Sequence, residues 1–154
     1  MSLLKGLFMA SNTVLPPVSV QAILRVKDSL PAPTVCPHCE SPVRLVNNAE
    51  IYGKPYGDWP WAYLCTGTRC RAYVGMHPNT DIPLGTLATA EIRDARKRAK
   101  NLFNPIWQGG KMSRSAAYAW LAKEMNIPKE SCHFGWFDVA QCNTAIKILT
   151  ARKG

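Results

Sequence analysis

The sequence is short of acidic residues, histidine and long apolar runs, and each shortage narrows what the chain can be. Its 154 residues contain 10 Asp and Glu against 19 Lys and Arg, with 3 His. No run approaches the ~20 consecutive apolar residues of a membrane-spanning helix, so we expect no membrane partner. No carboxylate pair, open metal site or phosphate-binding loop is visible, so we do not expect an enzyme.

The N-terminus resembles a secretory signal peptide only weakly. A single lysine, Lys5, precedes an apolar run that Gly6 interrupts. That run is too short and too broken for secretion. We therefore expect a cytoplasmic chain, and thiols arranged for metal rather than for disulfides suit that reducing compartment.

Four of the 6 cysteines form two close pairs. Cys36 and Cys39 flank Pro-His, and after a gap of 25 residues Cys65 and Cys70 flank Thr-Gly-Thr-Arg. Each pair delivers two thiolates from one turn, and together they complete a tetrahedral Zn²⁺ site. Four thiolates leave no open coordination position, so we predict one structural Zn²⁺ and no zinc chemistry. His77 is an alternative ligand, although a role beside the site or at the surface is favoured.

The remaining cysteines, Cys132 and Cys142, are interpreted as small buried core residues. A second metal site with His133 and Asp138 is a less favoured alternative. A nucleophilic cysteine with His133 as its base is less favoured still, because adjacent residues seldom face each other.

Charge divides the chain into three segments. Residues 1–35, an N-terminal arm, hold three basic residues and one acidic residue. Residues 36–85, the zinc-ribbon module, hold four of each, and residues 86–154 hold twelve basic against five acidic residues. The predicted fold class is α+β: a small zinc-ribbon β module followed by a basic helical unit of about three helices, packed on the ribbon.

Short β-branched and aromatic runs predict antiparallel strands within the zinc module. They lie near Val43–Val46, Trp59–Cys65 and Tyr73–Gly75, and a loop rich in turn residues occupies positions 53–58. In the arm, Val18–Val26 fits either a short helix or a strand.

Three helices are predicted in the last segment from apolar spacing and capping residues. The first is expected to reach Phe103 and to end at Pro105, and the second runs to about Met125. Asp-x-x-Gln spacing before the third predicts a capping box. The predicted N-caps are Thr86, Ser113 and Asp138.

Two groups of residues are candidate surfaces for nucleic acid or a protein partner. A run of cations on the first helix is usually a solvated face, but it can also contact phosphates. Aromatic residues near the turn-rich loop can stack on bases, anchor a protein interface or fill a thin core. The candidate residues are Arg93, Arg96, Lys97, Arg98, Lys100, Tyr56, Trp59 and Trp61.

Several longer stretches are more specific than the cysteine spacing alone. They are Cys36–Cys39, Glu50–Gly53, Cys70–His77, Asp81–Ala88, Met112–Leu121 and Cys132–Cys142. Together they resemble a bacteriophage and prophage family known as a zinc-finger-containing domain of unassigned function. The resemblance implies a small zinc-stabilised protein made in a phage-infected or lysogenic bacterium, and it implies no activity. The wider second cysteine pair and the arm depart from the family pattern.

The leading hypothesis is a non-enzymatic, zinc-binding, phage-type protein that binds nucleic acid or a nucleoprotein machine through its basic half. The alternative is a phage host-takeover factor that binds a host protein and inhibits or redirects it. The sequence names neither the partner nor the oligomeric state.

Overall fold

The structure is a computed structural model and describes residues 14–152. The start of the predicted arm, residues 1–13, and the last two residues of the helical segment lie outside the described residues. The described chain forms two compact units, one ending at Thr89 and the other beginning at Ala90. As predicted, the fold is α+β, with a three-stranded antiparallel sheet in the first unit.

The described part of the arm belongs to the first unit. It contains the helix α1 (Val20–Arg25), whose N-cap Ser19 accepts a hydrogen bond through Oγ from the Ala22 N–H at 3.1 Å. The Ser19 N–H donates to the Asn79 carbonyl at 2.8 Å, and Leu15 packs on the core of this unit. A serine cap favours the helix over the alternative strand.

All three predicted strands are confirmed, as β1 (Val43–Asn47), β2 (Trp61–Cys65) and β3 (Tyr73–Gly75). The sheet has the order β1-β2-β3. Val43 pairs with Cys65 across β1 and β2, and Tyr63 pairs with Val74 across β2 and β3. A short helix, α2 (Ala49–Tyr52), which the sequence did not predict, leads into the turn-rich loop after β1.

Strand alternation gives the sheet two apolar faces. One face buries Val46, Ala62 and Leu64 beneath Ile51 and Tyr73. The other buries the cysteine side of the module, and its members are Cys36, Tyr63, Cys65, Ala72, Val74, Met76 and Leu87. Two of the predicted zinc ligands therefore belong to the core.

Within residues 90–152 the second unit forms three helices, the number that the sequence predicted, and two 3₁₀ turns that it did not predict. The helices are α3 (Ala90–Gln108), α4 (Arg114–Met125) and α5 (Val139–Arg152). No helix in the described part of the chain has the length and apolar character needed to cross a membrane.

Both predicted caps after α3 are confirmed. Ser113 Oγ accepts a hydrogen bond from the Ala116 N–H at 3.0 Å. Before α5, the Asp138 N–H donates to Gln141 Oε1 at 3.0 Å, and the Gln141 N–H donates to Asp138 Oδ1 at 2.8 Å. This reciprocal pair is a capping box.

The core of the second unit is built around aromatic rings. The ring centroid of Phe103 lies 5.1 Å from that of Phe134, which lies 5.4 Å from that of Phe137. Cys132 and Cys142 are buried in the same core, which confirms the prediction that both are buried core residues.

Both predicted ends of the first long helix are wrong. It begins at Ala90 instead of after Thr86, because Ala88 and Tyr73 exchange backbone hydrogen bonds of 3.0 and 3.1 Å. It then continues through Pro105 to Gln108. A proline inside a helix is costly, but here the helix carries Trp107 and its neighbours onto the core beyond the proline.

Candidate metal centre

The four predicted zinc ligands converge on one point. Their sulfur atoms all lie within 4.8 Å of one another, with Cys36 and Cys70 at 3.6 Å and Cys39 and Cys65 at 3.3 Å. Zn–S bonds of about 2.3 Å in a tetrahedron place the sulfurs about 3.8 Å apart, so the group fits one Zn²⁺. Among residues 14–152 it is the only cluster of three or more metal-ligating side chains.

In the first cysteine turn, Cys36–Cys39, a backbone N–H points toward the sulfur of the first cysteine. The His38 N–H lies 3.4 Å from Cys36 Sγ, and the Glu40 N–H donates to the Cys36 carbonyl at 2.8 Å. Glu40, directly after Cys39, has φ 65°, which reverses the chain. Donation of N–H to sulfur favours the thiolate that binds the metal.

The second turn repeats this arrangement despite its wider spacing. The Gly67 N–H lies 3.2 Å from Cys65 Sγ, and the Arg71 N–H donates to the Gly67 carbonyl at 3.3 Å. Arg71, directly after Cys70, has φ 49°. The four residues between Cys65 and Cys70 therefore form the same kind of turn as the two residues between Cys36 and Cys39. Each of these two cysteine turns is a zinc knuckle.

Gly67 lies against the ligands of both cysteine turns, a close approach that the sequence did not predict. A Cβ at this position would lie 3.0 Å from both Cys39 Sγ and Ser41 Oγ, and 3.3 Å from Cys65 Sγ. The backbone of one knuckle therefore passes directly against the ligands of both. The only sign of this close approach in the sequence is a glycine between the two cysteines of the second pair.

The protein environment shifts the pKa values of the cysteine thiols in opposite directions. A hydrogen bond with Ser41 lowers the pKa of Cys39 to about 6, because the hydroxyl can donate to the thiolate. Burial raises the pKa of Cys65 to about 12 and also raises the pKa of Cys70. A bound dication offsets much of this burial penalty, because it offsets two of the four thiolate charges and bonds directly to every sulfur.

Neither nearby histidine joins the sulfur cluster. His77 holds a turn, because its carbonyl accepts from Thr80 Oγ1 at 2.8 Å and its N–H donates to the Ile82 carbonyl at 2.9 Å. Burial lowers the pKa of His77. His38 Nε2 lies 2.9 Å from the Leu87 carbonyl oxygen, which fixes the first knuckle to the chain after the sheet.

The predicted cation run on α3 does not share one environment. Arg96 Nε donates to the Phe137 carbonyl at 2.8 Å, and burial lowers the pKa of Arg96. Arg98 pairs with Asp94 at 3.0 Å on the exposed surface. Lys97 and Lys100 are exposed, and Arg93 is half-buried.

The predicted aromatic group also separates. Trp59 and Trp61 pack against the cysteine-side core, and Trp59 Nε1 donates to the Thr80 carbonyl at 2.9 Å. Tyr56 is 74% exposed at the tip of the loop. Asn48 braces it, because its side-chain amide exchanges two hydrogen bonds of 2.9 Å with the Tyr56 backbone.

A three-stranded antiparallel sheet with two cysteine knuckles and four converging thiolates defines a zinc-finger protein with a structural metal site. The chain matches the model of the zinc-finger-containing domain family over residues 32–152, and it belongs to that family. The family match and the cysteine geometry together support one structural zinc ion. No curated protein and no solved structure matches the chain.

Proposed function

We propose that this is a non-enzymatic, zinc-stabilised protein that binds nucleic acid, alone or within a nucleoprotein machine, through α3. The carrying observation is a row of three cations, Arg93, Lys97 and Lys100, on one face of that helix. We place its action in the cytoplasm of a phage-infected or lysogenic bacterium, as the family resemblance implies.

Helical geometry supports this row. At about 100° per residue, the Cα atoms of the three cations lie within about 60° of one another around the axis of α3. They span about 10 Å along the axis, at 1.5 Å per residue. Lys97 and Lys100 are exposed and have no ion pair within the described chain.

The other two cations of the original group support the proposal less. Arg96 is committed to the Phe137 carbonyl, so its role is to hold α3 to the segment before α5. Arg98 lies about 100° from Lys97 around the axis of α3. Its charge is paired with that of Asp94. The proposed phosphate-binding row is therefore the exposed Lys97 and Lys100, with the half-buried Arg93 beside them.

The distribution of charge along the chain also favours the helical unit as the site that binds nucleic acid. Residues 90–152 contain eleven basic and five acidic residues, while residues 36–85 contain four of each. A polyanion is therefore attracted to the helices, and the zinc module acts as a neutral scaffold. Its closed four-thiolate site offers no position for a substrate.

The test is fluorescence anisotropy with a labelled single-stranded oligonucleotide and its duplex, across a range of salt concentrations. Three phosphate contacts predict a slope of log affinity against log salt of about −2.7 for duplex and about −2 for single strand. Changing Arg93, Lys97 and Lys100 together to glutamine should bring the slope close to zero.

A matched control removes three exposed lysines elsewhere, Lys27, Lys123 and Lys147, and so changes the net charge equally. The proposal requires the control to retain the wild-type slope. Equal losses in both variants would mean that only net charge matters, and no binding by the wild type would reject the function outright.

A specific surface supports the second candidate, a factor that binds a host protein. Tyr52 and Tyr56 are 52% and 74% exposed, with ring centroids 6.0 Å apart. The Asn48 side chain fixes the backbone of Tyr56. Exposed tyrosines are efficient interface anchors. Stoichiometric capture of one host protein from nuclease-treated lysate, lost on changing both tyrosines to serine, would favour this candidate.

A further inference from the structure

A groove opens where the C-terminal ends of α3 and α5 lie side by side. It has a volume of about 330 Å³. Its lining combines apolar side chains, Leu102, Pro105, Ile106 and Leu149, with the cations Lys111 and Arg152. No acidic side chain lines it.

Two side chains give the groove a defined shape. Leu102 is 44% exposed even though its helix buries its other side in the core. The guanidinium of Arg152 lies 5.5 Å from the centre of the Trp120 ring. This cation–π contact restrains the arginine at the edge, so less side-chain entropy is lost when it binds an anion.

The surface continues beyond Arg152. A second groove of about 380 Å³ lies on its other side, where Trp120, Ile148 and Ala151 are exposed to it beside Lys147 and Glu124. The two grooves share Arg152 and therefore adjoin at this side chain. Three cations and one carboxylate border the combined surface.

Helix dipoles do not cancel this positive charge. The C-terminal ends of α3 and α5 each contribute about half a negative charge. Lys111 and Arg152 contribute two full positive charges at the first groove. The first groove therefore favours an anion.

We propose that this surface docks an acidic amphipathic helix from a protein partner. Leucine-like side chains at helical spacing would enter the groove, and flanking carboxylates would face Lys111 and Arg152. The apolar side chains in the lining distinguish this ligand from nucleic acid, whose phosphates gain nothing from contact with Leu102 or Ile106. The inference does not depend on the cation row of α3.

The experiment titrates the full ¹⁵N-labelled, zinc-loaded chain with two designed amphipathic peptides of about 20 residues, long enough to form helix. Both peptides carry the same leucine stripe, one with glutamates and one with lysines on its flanks. The glutamate peptide should shift the amide signals of Leu102, Ile106 and Leu149. The lysine peptide should not bind.

Charge reversal tests the edge of the groove. Lys111→Glu with Arg152→Glu should weaken binding of the glutamate peptide about tenfold, through lost attraction and added repulsion. The control, Lys123→Glu with Lys129→Glu, makes the same charge change outside both grooves and should have less than about a twofold effect. Leu102→Ser should weaken binding, and Leu102→Met should retain it.

Each other outcome overturns the proposal. These are no binding of the glutamate peptide, equal binding of the lysine peptide, shifts confined to other residues, and equal losses in the control. Displacement of the peptide by an oligonucleotide would assign the surface to nucleic acid. The same shifts on raising the protein concentration alone would assign it to a second copy. The Arg93, Lys97 and Lys100 variant should still bind the peptide, so this inference and the nucleic-acid function fail separately.

Discussion

Replacing Gly67 with alanine tests the central feature of the metal site, the close approach of one knuckle to the ligands of both. The new methyl group would lie 3.0 Å from Cys39 Sγ and Ser41 Oγ and 3.3 Å from Cys65 Sγ. Two of these atoms are zinc ligands, and Zn–S distances tolerate changes of only about 0.2 Å. The methyl therefore displaces a ligand or strains the turn.

The expected loss follows from two independent estimates. Overpacking typically costs about 1–3 kcal/mol. Disturbing the groups that orient metal ligands typically weakens metal affinity about 10- to 100-fold, which is about 1.4–2.8 kcal/mol. A glycine-to-alanine change also restricts the unfolded chain, which favours the folded form by about 0.4–1 kcal/mol and partly offsets the loss. We expect zinc affinity to fall about tenfold or more.

The measurement is competition for zinc with a chromophoric chelator at fixed pH. Gly75→Ala is the matched control, because its methyl would meet Leu84 Cδ1 at 3.4 Å, an ordinary contact, while restricting the unfolded chain equally. The control should bind zinc about as well as the wild type. Unchanged affinity in the Gly67 variant would show that this backbone does not close over Cys39 and Cys65.

Four further predictions concern stability and reactivity. Chelation of zinc should unfold the sheet, because apparent zinc binding energies of about 10–16 kcal/mol exceed the stability of a small module; circular dichroism at 222 nm should retain the helical signal, since α3–α5 have their own core. Iodoacetamide at neutral pH should leave Cys132 and Cys142 unmodified in the native protein, and mass spectrometry after denaturation should show both alkylated. Burial raises the pKa of Cys132 to about 11, above its ordinary 9.0, so its ionisation should lower stability as pH rises from about 9 to 11. Asp138→Ala should lower the free energy of unfolding of the helical unit by about 1 kcal/mol in urea titrations, and Asp138→Asn should retain most of the cap.

Local signals predicted several elements accurately because they involve residues close together in the chain. The caps at Ser113 and Asp138 depend on hydrogen bonds to residues three positions away. The strands followed from short aromatic and β-branched runs. The metal site followed from cysteine spacing, since each knuckle is a local turn.

Helix ends were predicted poorly where distant contacts override local preference. Thr86 is a good cap by type, but pairing of Ala88 with Tyr73 keeps the chain extended until Ala90. Pro105 is a strong helix breaker, yet packing of Trp107 on the core continues α3 beyond it. Neither competing contact is visible in a local window.

The candidate binding residues show the same difference between what is local in the sequence and what depends on distant contacts. The sequence grouped five cations because they are close in the chain, and helical geometry separates them. Arg96 reaches the Phe137 carbonyl, 41 residues away, and only the folded chain reveals that contact. The aromatic group separates similarly, because Trp59 turns inward while Tyr56 stays at the loop tip.

The sequence by itself determined the ligand type, the closed character of the zinc site and the contrast between a neutral module and a basic helical segment. These properties depend on residue identity, spacing and charge, which need no tertiary contact. Only the tertiary structure decided that Gly67 lies against Cys39 and that Leu102 and Arg152 border one groove. Those proximities join residues far apart in the chain, and the packing of the whole unit determines them.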